Sequence, residues 1–146
     1  MIELQIINNF DNKIKLSNKL IEEIILNLIT NESQYTKIKI SIIIENDDYL
    51  RKLKIKYFDL DILTDVITFD LSDSNKELEA EIYISWDRVF DNSKKYKESL
   101  SDEAKRVIIH GCLHLMGFND SNQEEKKIMR EKEQRYINSM RESILI

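Results

Sequence analysis

The stretch from His110 to Asp120, HGCLHLMGFND, holds both histidines and both glycines of a 146-residue chain. Four residues apart on an α-helix, two side chains lie about 40° apart around the axis and about 6 Å apart along it, so His110 and His114 can point at one position. Two histidines at this spacing are the arrangement with which a helix grips a metal ion. A catalytic zinc site takes three protein ligands and leaves a fourth position open to water. Gly117 offers a route to the third ligand, because a glycine just past the last periodic residue can turn left-handed, end the helix and send the chain back. Asp120, three residues beyond it, then brings a carboxylate that suits zinc. Asn119 is a weaker candidate because an amide is a poor ligand, and Glu124 and Glu125 because they fall in the next helix. The chemistry on offer is hydrolysis by a metal-bound water held by His110, His114 and Asp120.

A metalloprotease helix reads H-E-x-x-H, with the glutamate after the first histidine as general base. Gly111 occupies that position here, so the helix is zincin-like in its metal site and lacks the protease's base. A glycine inside a helix costs about 1 kcal/mol relative to alanine. Two reasons for Gly111 stand open: close approach of backbone or substrate beside the metal, or tight packing against a sheet.

The helix that carries the histidines must itself be buried, since Ala104, Val107, Ile108, Cys112, Leu113, Leu115 and Met116 make most of its circumference apolar. Ser101 is its expected N-cap, with Asp102 and Glu103 favourably placed in the first turn. Upstream, residues 2–7 alternate as a half-buried strand, and a helix follows from about Ser17 to Thr30. Ile38, Ile40, Ile42 and Ile44 alternate with Lys37, Lys39 and Ser41 in the clearest strand, and NDDYLRKLKIKYF reads as a helix capped by Asn46 or Asp47. Extended runs at Val66–Leu71 and Glu81–Trp86 flank a polar loop, SDSNKE, and precede a short helix near Asp87–Tyr96. A final helix, about Asn122 to Ser143, places Ile128, Tyr136, Ile137 and Met140 on its apolar side. This order predicts an α+β fold: a single domain over residues 1–146, with a four-stranded mixed sheet packed with about five helices.

A net charge of −5 argues against coating nucleic acid through bulk electrostatics. Two local basic clusters remain, Arg51, Lys52, Lys54 and Lys56, and Lys94, Lys95 and Lys97, each readable as an ordinary solvated helix face. Cys112 is the only cysteine, which rules out an intramolecular disulfide, and the N-terminus lacks the pattern of a signal peptide, so the expected location is cytoplasmic. The apolar runs IILNLI and VIIHGCLHLMGF are too short or interrupted to cross a bilayer, and no membrane role is expected.

Three stretches carry a resemblance. HGCLHLMGF followed by Asp120 matches H-G-x-L-H-L-x-G-[YF] with a third ligand three residues after the second glycine. TDVITFD, Thr64 to Asp70, is similar to a T-D-V-L-S-F strand, with Tyr57 and Asp61 at the spacing expected before it, and AEIYISWDRV is similar to a G-D-I-x-I-S strand and the helix after it. These motifs, spanning residues 57–120 in order, resemble the YbeY endoribonucleases. The resemblance implies a cytoplasmic, single-strand-specific, metal-dependent endoribonuclease that matures the 3′ end of small-subunit ribosomal RNA and takes part in ribosome quality control. It further implies one Zn²⁺ ion per chain, single-stranded ribosomal RNA as substrate, and the ribosome or small ribosomal subunit and its associated factors as partners.

The chain departs from the family pattern in three places. The usual third ligand is histidine; Asp120 keeps a three-ligand site but adds negative charge and lowers the ion's Lewis acidity. Phe58 stands where the family has a basic residue after Tyr57, so Arg106 or Lys54 is the expected substitute for gripping phosphate. Ala80 and Glu81 replace a Gly-Asp pair. Thr64 and Asp65, at a strand entry, read as cleft residues or as partners that orient a ligand histidine, against the simpler reading of a strand cap. Met116, Phe118 and Trp86 are expected to pack in the core rather than stack on bases. Two other functions compete: a non-enzymatic metal-binding ribosome-assembly factor, and a different zinc-dependent hydrolase.

Overall fold

Alternating isoleucines organise the sheet. A computed structural model describes residues 1–146, with elements β1 (Ile2–Asn8), α1 (Asn18–Glu32), β2 (Lys37–Glu45), α2 (Asp47–Phe58), β3 (Val66–Asp70), β4 (Glu77–Ser85), α3 (Trp86–Lys95), α4 (Leu100–Leu115) and α5 (Gln123–Ser139). The strands lie in the order β1-β2-β4-β3. β1, β2 and β4 run parallel and β3 is antiparallel to β4, so the sheet is mixed, as expected. The register sets Ile38, Ile40, Ile42 and Ile44 of β2 beside Leu78, Ala80, Ile82 and Ile84 of β4. Because side chains alternate across a strand, these eight buried residues form one apolar face, covered by α1 and α4. The other face carries exposed Lys37, Lys39, Glu77 and Glu79 at one end, and α2 covers it at the other, where Leu50 and Ile43 are buried and Tyr49 stacks on Tyr83.

Local chemistry sets most boundaries where the sequence places them. Ser17 caps α1 by accepting the N–H of Leu20, and Asn46 caps α2 by accepting that of Tyr49. Four boundaries differ. β4 begins at Glu77 rather than Glu81, because Leu78 and Ala80 continue the alternation and pair with Ile38 and Ile40. Trp86 opens α3 instead of closing the strand, since the Ser85 hydroxyl accepts the N–H of Arg88 as its cap. The cap of α4 is Ser99, which accepts from Asp102 at 3.0 Å. Ser101 is buried and accepts the N–H of Ile144 at 2.9 Å. Finally, α5 ends at Ser139 and not Ser143: buried Lys105 donates to the Met140 carbonyl at 2.6 Å, and Ile144 enters the core. The buried side of α5 is Met129, Glu133 and Tyr136, while Ile128 faces out. No helix is long and apolar enough to cross a membrane.

The packing of α4 on the sheet resolves the two readings of Gly111. A Cβ there would lie 3.2 Å from Cγ2 of both Thr68 and Val66 and 3.3 Å from Cγ2 of Ile82. All three neighbours are β-branched and stiff at χ1, so the glycine lets α4 sit down on β3 and β4. Overpacking a rigid core costs about 1–3 kcal/mol, against a gain in helix propensity of about 1 kcal/mol. Gly111→Ala is therefore expected to lower stability by about 1 kcal/mol, read as a reduced urea midpoint at unchanged m-value; a more stable variant would show that the neighbours yield.

Candidate metal centre

The last turns of α4 bring the histidines together, and its end delivers the carboxylate. Gly117 sits at φ +96 and donates its N–H to the His114 carbonyl at 3.0 Å, while Phe118 donates to the Leu113 carbonyl at 3.0 Å. This pair of bonds is the glycine-dependent helix stop that reverses the chain, and it returns Asp120 to the exposed tip of the His110–His114 face. The Nε2 atoms of His110 and His114 lie 2.9 Å apart, and Oδ2 of Asp120 lies 3.4 Å from the first and 3.7 Å from the second. Donors about 2.0–2.2 Å from a tetrahedral zinc ion stand roughly 3.3–3.6 Å from one another, so the triangle, with the two histidine nitrogens closer than that and the Asp120–His114 edge slightly longer, is near the size and has the N/N/O donor set that a divalent ion takes. His110, His114 and Asp120 can thus hold a metal ion. Cys112 contributes nothing to it: its thiol is buried in the core and pushed up to about 12 by that burial.

The nitrogen of His110 that faces away from the triangle is also engaged. Nδ1 of His110 lies 2.5 Å from Oε2 of Glu133 on α5, a side chain that is 8% exposed. With the proton on Nδ1, Nε2 is left bare for a metal, the usual role of a carboxylate behind a ligand histidine. Behind Glu133 stands Arg106, whose Nη2 donates to Asp65 at 2.9 Å and to Glu103 at 2.6 Å, with Nη1 3.9 Å from Glu133. Burial works against a proton on His110, yet Glu133, then Asp65 and Asp120, outweigh it and hold the imidazole above the ordinary histidine range. Burial depresses His114, and the neighbouring charge of His110 depresses it further.

The family profile described as Endoribonuclease YbeY matches residues 6–141. A protein of that name from Amoebophilus asiaticus is 41% identical over 87% of this chain and 86% of its own length. Another from Cytophaga hutchinsonii is 40% identical over 74% and 76%. The chain belongs to the YbeY endoribonuclease family. The solution structure of a Thermotoga maritima protein has a similar fold, with a TM-score of 0.60 and 24% identity, covering 94% of this chain and 89% of that one.

Within this YbeY fold, the sequence-derived candidates separate. Asp65 stands behind the site, pairing with Arg106 and contributing to the field on His110. Thr64 donates its hydroxyl to the Val66 carbonyl at 3.3 Å, which fits the simpler reading of a strand cap. Arg106 does not present a free guanidinium to phosphate: Glu103 and Asp65 take its donors and hold its protonation above the ordinary arginine range against the opposing effect of burial. Lys54 lies over the Phe58 ring on α2, on the face of the sheet opposite α4. Met116 and Phe118 pack against the core and Trp86 is within it, as expected. The sequence reading missed Glu133 and Glu103. The signal for Glu133 was its place between Met129 and Tyr136 on the buried stripe of α5, where a charge requires a partner.

Glu133→Gln keeps the size of the side chain and removes its charge. Loss of such a partner lowers metal affinity about 10–100-fold; that drop, with an unchanged circular dichroism spectrum, is the expected outcome of a zinc titration, and unaltered affinity would remove Glu133 from the site.

Proposed function

We propose that residues 1–146 act as one metal-dependent endoribonuclease that hydrolyses phosphodiester bonds of single-stranded ribosomal RNA. The setting we infer is cytoplasmic maturation of the 3′ end of small-subunit ribosomal RNA and ribosome quality control, with the small subunit and its associated factors presenting the substrate. One Zn²⁺ ion per chain, held by His110, His114 and Asp120, is the cofactor of this reading. The observation that carries it is the donor triangle of 2.9, 3.4 and 3.7 Å at the end of α4, in a chain of the YbeY endoribonuclease family.

When bound, zinc supplies Lewis acidity toward a phosphodiester oxygen and toward the attacking water. The protein's own groups do the rest. Glu133 keeps the proton of His110 on Nδ1 and fixes the ring's direction. Asp120, half exposed at the mouth, closes the triangle without stiffening it, since no side-chain bond ties it elsewhere. The histidine side chains are recessed, at 16% and 30% exposed. A splayed single strand can bend a phosphate down to such a site more readily than a stiff duplex can.

The test compares wild type with His114→Ala, both confirmed folded, on a single-stranded RNA and on its duplex with zinc present. Wild type is expected to cut the single strand, and the variant to lose roughly 100-fold or more, the scale on which one group that stabilises a transition state acts. Equal cutting by both proteins would contradict the assignment, and a variant that cannot fold would point to a structural ion and an assembly factor.

A further inference from the structure

The sheet stops at β3, and the outer side of that strand has no partner. The Ser85 N–H bonds to the Asp65 carbonyl and the Leu71 N–H to that of Glu79, so the odd-numbered residues of this antiparallel pair turn their backbone groups toward β4. The even-numbered ones, Val66, Thr68 and Asp70, therefore point theirs outward. Only the Val66 carbonyl is engaged, by the Thr64 hydroxyl. Neither Lys nor Pro guards this edge, although those are the usual devices against strand addition.

The flanks add two independent features. Leu60, Ile62 and Leu63 lead into the strand and Leu71 leaves it, all about half exposed, with Leu63 at 54%. Tyr57 and Phe58, also exposed, pack on Phe69 of the strand itself. From Asp59 to Asp73 the chain carries five aspartates and no lysine, arginine or histidine. Asp61 and Asp65 are paired with Arg51 and Arg106, which leaves Asp59, Asp70 and Asp73 without an ion pair. Lys54 and Lys56 reach over the Phe58 and Tyr57 rings, on the sheet face away from α4, whereas Asp70 lies on the α4 side with no cation against it, so the uncompensated charge along this edge is acidic and favours basic residues in a partner segment.

We propose that β3 is a docking edge for an extended polypeptide segment of a partner protein, in which apolar residues alternate with lysine or arginine. Main-chain pairing to Val66, Thr68 and Asp70 supplies the register, alternate apolar side chains meet the exposed leucines and aromatics, and the basic ones meet the aspartates. This inference does not depend on the nuclease reading.

The test titrates the ¹⁵N-labelled full chain with a decapeptide of alternating valine and lysine, with its valine–glutamate counterpart, and with a uridine decanucleotide, reading amide shifts and hydrogen exchange. The lysine peptide is expected to shift the Val66, Thr68 and Asp70 amides saturably and to slow their exchange, which diffuse charge adsorption would not do. Asp70→Pro removes one outward N–H and leaves the ladder with β4 intact; it is expected to weaken binding roughly tenfold. Asp70→Lys, which keeps the donor and reverses the charge, is expected to weaken binding in the same direction and covers the case in which the proline disturbs the fold. Unaltered exchange at these amides with the lysine peptide overturns the proposal. So does slowing by the glutamate peptide, by the decanucleotide, or by raised protein concentration alone.

Discussion

A carboxylate and an imidazole buried together at the α4–α5 interface set the terms for what surrounds them. Glu133 and His110 approach to 2.5 Å in a place almost closed to water. A buried charge without a partner is costly by several kcal/mol, and Glu133 cannot be left with the histidine alone. Arg106 answers it from 3.9 Å, and Glu103 and Asp65 in turn occupy that guanidinium. One network thus ties α4, α5 and the entry of β3, and His110 is aimed by Glu133, which stands in turn beside an Arg106 held by Glu103 and Asp65. The packing of Gly111 on Val66, Thr68 and Ile82 fixes the height of α4 on the sheet, without which the network would lose its register.

The electrostatics of this arrangement favour a cation over an anion. Around the two imidazoles stand Asp120, Glu133, Glu103 and Asp65, against the single guanidinium of Arg106. The carboxylates that favour a proton on His110 also favour a divalent ion on its other nitrogen, while burial and then the neighbouring charge of His110 hold His114 below the ordinary histidine range. A phosphate approaching the protein alone would meet negative potential. A divalent ion held by His110, His114 and Asp120 would offset that potential, at a place where Glu103 and Asp65 already occupy the Arg106 guanidinium.

What could be read from the sequence was what depends on short-range pattern. The four-residue histidine spacing, the left-handed stop at Gly117 and the return of Asp120 are local consequences of helix geometry, and the structure has all three. The alternation in β2 and the caps at Ser17 and Asn46 were legible for the same reason. What escaped depends on residues far apart in the chain. Ser101 resembles a cap as strongly as Ser99 does, and only the docking of Ile144 takes its hydroxyl. Arg106 reads as a free cation until Asp65, 41 residues away, is folded against it. Glu133 looks like one more acid on a charged helix until α5 is laid across α4. The start of β4 was misplaced because Glu77 and Glu79 are solvent-facing members of a strand whose other face is apolar.

X-ray absorption at the zinc edge of the zinc-loaded protein tests the proposed centre most directly. The account predicts one ion per chain with nitrogen and oxygen ligands at about 2.0–2.1 Å, outer-shell scattering from two imidazoles, and no sulfur. An ion surrounded by oxygen alone, or one whose spectrum contains a single imidazole or a thiolate, would contradict a site built from His110, His114 and Asp120.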